Sequence, residues 1–112
     1  MKTGKINILG TEYTVEERGS IDDEILESCD GYCDKSIHLI VVTAMPRDNE
    51  LEDFDTYQRK VLKHEIIHAF LFESGLHESW THTTGHDETY VDRIASQWAK
   101  IAAVFKQLEC ER

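Results

Sequence analysis

Residues 51–75 read LEDFDTYQRKVLKHEIIHAFLFESG, and their spacing predicts one long helix from about Leu51 to Ser74. Gly75 follows at the position where helices commonly stop on a left-handed residue. In the first half, Glu52, Asp55, Arg59 and Lys63 form a polar face. From Ile66 onward, Ile67, Ala69, Phe70, Leu71 and Phe72 cover nearly every direction. A helix that is apolar all round is buried, so this half is expected to run through the centre of the domain.

Upstream, Ile6 and Ile8, then Tyr13 and Val15, alternate around Gly10-Thr11. This predicts a β-hairpin of residues 5–9 and 12–17. Ser20 before Ile21-Asp22-Asp23-Glu24 resembles a helix cap with an acidic first turn, opening a short helix to about Ser28. Gly31 is read as a turn and the β-branched run Ser36–Val42 as a third strand. Downstream, the glycines and threonines of residues 75–86 suit a loop. From Asp87 to Glu109, Val91, Ile94, Ala95, Trp98, Ile101, Ala102, Phe105 and Leu108 form a helical stripe expected to face the core. The expected fold is a single α+β domain over residues 1–112. In it, a small antiparallel or mixed sheet packs on a buried helix and a C-terminal helix.

The central helix carries His64-Glu65-Ile66-Ile67-His68, an H-E-x-x-H motif. Residues four apart on a helix stand one above the other, so both imidazoles can reach one ion. Glu65 lies about 100° round from His64, close enough to act on a metal-polarised water without ligating. Unpaired polar groups in a core are costly, and a metal gives these three a reason to be there. Five of the six histidines (His64, His68, His77, His82 and His86) crowd into this part of the chain, which points the same way.

A catalytic zinc needs a third protein ligand and an open position. The extended pattern with glycine at 71 and histidine at 74 fails, because the chain has Leu71 and Ser74. A loop histidine (His77, His82 or His86) is possible, although no fixed spacing supports it. Glu88 is the better fit, in the first turn of the last helix and beside its apolar stripe. Asp92, one turn on, could accept the remaining N–H of a ligand histidine.

The chain holds 12 Lys and Arg against 22 Asp and Glu, a net charge of −10. Such a surface disfavours nucleic acid and anionic membranes as partners. No apolar run approaches the roughly 20 residues that span a bilayer. No secretory leader is legible at Met1–Gly10, and Cys29, Cys33 and Cys110 are an odd set, read as ordinary thiols. A reducing, cytoplasmic setting is expected. Oligomeric state is not legible.

His64-Glu65-Ile66-Ile67-His68 followed by Glu88-Thr89-Tyr90-Val91-Asp92 resembles the gluzincin pattern HExxH…ExxxD of thermolysin-like metallopeptidases. Over residues 31–105 the chain is similar to the small single-domain gluzincin-like proteins of bacteria and phages. The resemblance implies a zincin-like fold with Zn²⁺ on His64, His68 and Glu88. It implies Glu65 as general base and acid, and Asp92 as the residue that orients a ligand histidine. It further implies that strand 36–42 is an antiparallel edge strand along the cleft, able to pair with a peptide or protein substrate. The family's larger members carry the oxyanion-stabilising residue on a further domain, so here His82, His86 or Tyr90 would take that part. Peptide-bond hydrolysis is the activity implied. The alternative is a non-catalytic, zinc-stabilised binding or regulatory module of a mobile element or phage.

Overall fold

The computed structural model describes residues 1–45, 53–74 and 88–110. Strands β1 (Gly4–Ile8) and β2 (Thr11–Arg18) pair antiparallel, with Ile6 opposite Tyr13. Leu9 and Gly10 join them at φ 51° and 94°. That double positive φ gives a primed turn, whose twist matches the strands and which glycine accepts without strain. The Asn7 side chain accepts the Gly10 N–H at 2.8 Å. The alternation holds, since Ile8, Tyr13 and Val15 are all buried.

Two further strands, β3 (Gly31–Asp34) and β4 (Leu39–Thr43), complete a mixed sheet in the order β1-β2-β4-β3. β4 runs parallel to β2 and antiparallel to β3. This corrects three expectations. Gly31 opens a strand rather than marking a turn. The strand expected from Ser36 starts at Leu39, because residues 35–38 turn the chain, with His38 at φ 53°. The edge strand is β3, and β4 lies inside the sheet. Every residue of β4 is buried, so both its faces are covered and it reads as an unbroken apolar run.

One face of β4 carries Ile40 and Val42, which join Ile8, Tyr13, Val15 and Ala69 in the main core. The other carries Leu39 and Val41, which pack on Leu26 and Tyr32. Leu26 belongs to a single 3-10 turn, Glu24–Glu27, not to a helix opened by Ser20. Asp23 is the cap, accepting the Ile25 N–H at 3.2 Å, and Ile21 is 98% exposed outside it.

Helix α1 (Phe54–Glu73) begins on Asp53, whose carboxylate accepts the Thr56 N–H at 3.1 Å. The expected end, Ser74, is the C-cap, while the helix starts at Phe54 rather than about Leu51 because Asp53 is its non-helical cap; Leu51 and Gly75 lie outside the described residues. Val61, Leu62 and Ile66 pack into the main core, and the Gln58 amide donates to the Thr43 carbonyl at 3.0 Å. The second half of α1 is not wrapped on all sides: Phe70 is exposed and Ile67 and Leu71 only half-buried. A four-stranded sheet covers one side of a helix, and the other side needs a second layer.

That layer is α2 (Glu88–Gln107), which packs chiefly against α1. Val91 and Ala95 are buried there. The rest of its stripe departs from expectation: Trp98, Ile101, Phe105 and Leu108 are exposed rather than in the core. α2 crosses α1 near its own N-terminal half, so the remainder has no layer beneath it among the described residues. No helix among these residues is long and apolar enough to cross a membrane.

Candidate metal centre

His64 and His68 share one face of α1, and α2 presents its first turn to them. His64 Nε2 stands 3.1 Å from His68 Nε2 and 2.5 Å from Glu88 Oε2. His68 Nε2 is 3.4 Å from the same carboxylate oxygen. On the far side of its ring, His64 Nδ1 lies 2.7 Å from Asp92 Oδ1. When the His64 ring is neutral and its Nδ1–H donates to Asp92, it turns a bare lone pair at Nε2 toward Glu88 and His68.

Three electron-pair donors this close repel one another unless a proton or a cation lies among them. Ligands about 2.0–2.1 Å from a tetrahedral zinc stand about 3.3 Å apart; the His64–His68 and His68–Glu88 separations are close to this, and the 2.5 Å between His64 and Glu88 would have to open to admit the ion. The donor set of two imidazoles and a carboxylate also suits zinc. These residues therefore fit the ion. The histidines are largely covered, while the Glu88 side chain is 71% exposed, so the centre opens to solvent on the α2 side.

Electrostatics separates the groups. Burial opposes charge on His64, but the hydrogen bond it donates to Asp92 and the carboxylates of Glu65, Glu88 and Asp92 outweigh it and raise its pKa. Burial prevails at His68 and lowers its pKa, which favours the neutral ligand form. Burial also pushes the Glu65 carboxyl up to about 7, with Glu88 and Asp92 adding to the rise and His64 opposing it. A buried carboxyl poised near neutrality can take up and release a proton.

A groove of about 310 Å³ leads to the centre between α1 and the start of β3. Gly31 forms its wall: a Cβ there would meet Val61 Cγ1 at 2.6 Å and the Val41 carbonyl at 3.0 Å. Glycine is needed for this close approach of strand to helix. Tyr57 and Lys60 also line the groove, seven and four positions before His64 on the same helical face. Neither belongs to the H-E-x-x-H motif. Their spacing from His64 was the available signal. Lys60 is the one Lys or Arg lining the groove among the described residues.

The other expected participants divide. His77, His82 and His86 lie outside the described residues. Tyr90 lines no part of the groove and is half-exposed, because two residues from Glu88 is about 200° round the helix. Cys33 packs on the core, and burial, then Glu65, Asp34 and Glu73, push its thiol up to about 12. It stays protonated, and no cysteine joins the His64–His68–Glu88 cluster. Compared with models of protein families, with curated proteins and with solved structures, the chain finds no match in any of the three.

Proposed function

We propose that this chain is a zincin-like, zinc-dependent peptidase, with His64, His68 and Glu88 as the ion's protein ligands. One observation carries the reading: the buried Glu65 carboxyl adjoins His64, His68 and Glu88, whose donor atoms all lie within 4.8 Å of one another. Zinc, when bound, supplies Lewis acidity toward the scissile carbonyl and acidifies a water. Glu65 takes the proton of the attacking water and returns it to the departing amine nitrogen. Asp92 holds the His64 ring in the tautomer that leaves Nε2 free to ligate. Lys60 offers the groove a positive charge for the substrate. The substrate strand pairs along β3, the edge strand beside the groove.

A second reading, a zinc-stabilised binding module, is favoured by the uncovered stripe of α2. Glu65→Gln separates the two. The peptidase reading expects zinc content and thermal stability to persist while cleavage of a peptide library falls about 100-fold or more. If native and Glu65→Gln chains, both zinc-loaded, cleave nothing, the module reading replaces it.

A further inference from the structure

A second groove, of about 510 Å³, lies between α1 and α2 and, among the described residues, shares no lining residue with the metal centre. Ile66, Ile67, Phe70 and Leu71 of α1 face Ile94 and Trp98 of α2 across it. The groove continues into the stripe that α2 leaves uncovered. Val91, Ile94, Trp98, Ile101, Phe105 and Leu108 follow at alternating three- and four-residue steps, the repeat of a helix that seats against another helix. Only Val91 is fully buried on α1, and the four from Trp98 onward are exposed.

Charge tells what kind of helix fits. The chain carries −10, yet from Arg93 to Gln107 it has no acidic residue and three cations, Arg93, Lys100 and Lys106. Arg93 precedes Ile94 and Lys100 precedes Ile101, so both stand about 100° round from the stripe, along one edge of it. Lys63 lines the groove from α1. None of Lys63, Arg93 and Lys100 makes an ion pair among the described residues. An apolar seam bordered by unpaired cations, on a molecule otherwise strongly acidic, is complementary to an apolar helix face flanked by carboxylates.

We propose that the α1–α2 groove and the free stripe of α2 dock an amphipathic helix of a partner protein whose apolar face is flanked by Asp and Glu. A second copy offers no such helix among the described residues. The exposed half of its α2 is itself cationic, and the apolar sheet face of its α1 is covered by the core. The proposal is independent of the metal reading.

The test uses two labelled synthetic helical peptides with the same leucine face, one flanked by Glu and the other by Lys, followed by fluorescence anisotropy on the full chain. The Glu-flanked peptide is expected to bind at least about tenfold more tightly, and to weaken as salt rises from 50 to 300 mM. Ile101→Glu and Phe105→Glu change exposed positions and should abolish binding while circular dichroism stays native. Lys63→Glu with Lys100→Glu should move the preference toward the Lys-flanked peptide. Equal binding of the two peptides, or binding of neither, overturns the proposal. A dimer mass by light scattering that Phe105→Glu abolishes would assign the face to a second copy instead. Nuclear Overhauser contacts from residues 75–87 onto Ile67 and Trp98 in the free chain would assign it to the chain's own segment. Either result overturns the proposal.

Discussion

His64 Nδ1 and Asp92 Oδ1, 2.7 Å apart, tie the second turn of α2 to the middle of α1. The contact fixes the histidine's tautomer and ring plane, and it crosses between two helices that otherwise meet through few buried side chains. Asp92→Ala should leave His64, His68 and Glu88 in place yet weaken zinc affinity about 10- to 100-fold. Competition with a chelating dye measures this. Unchanged affinity would show that Asp92 has no part in orienting the ring.

Glu88 against the loop histidines is the sharper question about the ligand set. Glu88→Ala should lose the ion, or bind it far more weakly, while His77→Ala, His82→Ala and His86→Ala should each keep it. Cobalt-substituted protein should show absorption typical of a four-coordinate site with two nitrogens and one carboxylate from the chain. If His82→Ala or His86→Ala empties the site and Glu88→Ala does not, the carboxylate assignment fails.

Gly31→Ala is expected to destabilise the fold by about 1–3 kcal/mol, because the new methyl meets Val61 Cγ1 at 2.6 Å and the Val41 carbonyl at 3.0 Å. Val61→Ala in the same chain should restore only part of the loss, since the carbonyl is backbone and cannot swing away. Denaturant unfolding gives both numbers. Full rescue by Val61→Ala would mean that the helix contact alone forbids a side chain.

Asp23 gives the fold an acid-sensitive joint. Its carboxylate accepts from the Tyr32 hydroxyl, from Arg18 Nη1 at 3.0 Å and from the Ile25 N–H at 3.2 Å. The Tyr32 hydrogen bond does most to hold its pKa below the ordinary carboxylate range, against burial, with Arg18 and the Ile25 N–H helping. A depressed folded-state pKa contributes stability that is complete above the unfolded value of about 3.9. That stability is lost as pH falls through the folded value. The gap in melting temperature between native protein and Asp23→Asn should therefore be widest near neutrality and shrink below about pH 4. A gap independent of pH would remove the charge from the explanation.

Residue spacing made the hairpin, both helices and the His64–Glu65–His68 face legible, because each follows a period that one covered side imposes. It misled where two sides are covered or none is. β4 is enclosed on both faces, so its apolar run gave no sign of where it began, and Ser36–His38 were taken into it. Gly31 reads as a breaker in isolation. Only the nearness of Val61 shows that it is a contact residue. The stripe from Trp98 to Leu108 has the period of a core face, but period records apolarity and says nothing about what lies opposite. Tyr57 and Lys60 carry no mark of their own for a related reason: a groove wall is defined by the strand across from it, and the short β3 leaves no clear period in the sequence.

The parallel pairing of β2 with β4 also orders events in time. The β1–β2 hairpin closes over the Leu9-Gly10 turn, a local event that takes about 1–10 μs in small hairpins. The β3–β4 ladder, with Cys33 opposite Ile40, is local as well. The join between them is not, because Thr14 must find Leu39 across the whole crossover that contains the 3-10 turn and β3. Closing that span costs entropy before any contact repays it, so the slow step of assembly is expected to be the meeting of the two hairpins. On a growing chain the first hairpin leaves the ribosome and waits for the second. α1 has no complete floor to settle on until that seam has closed.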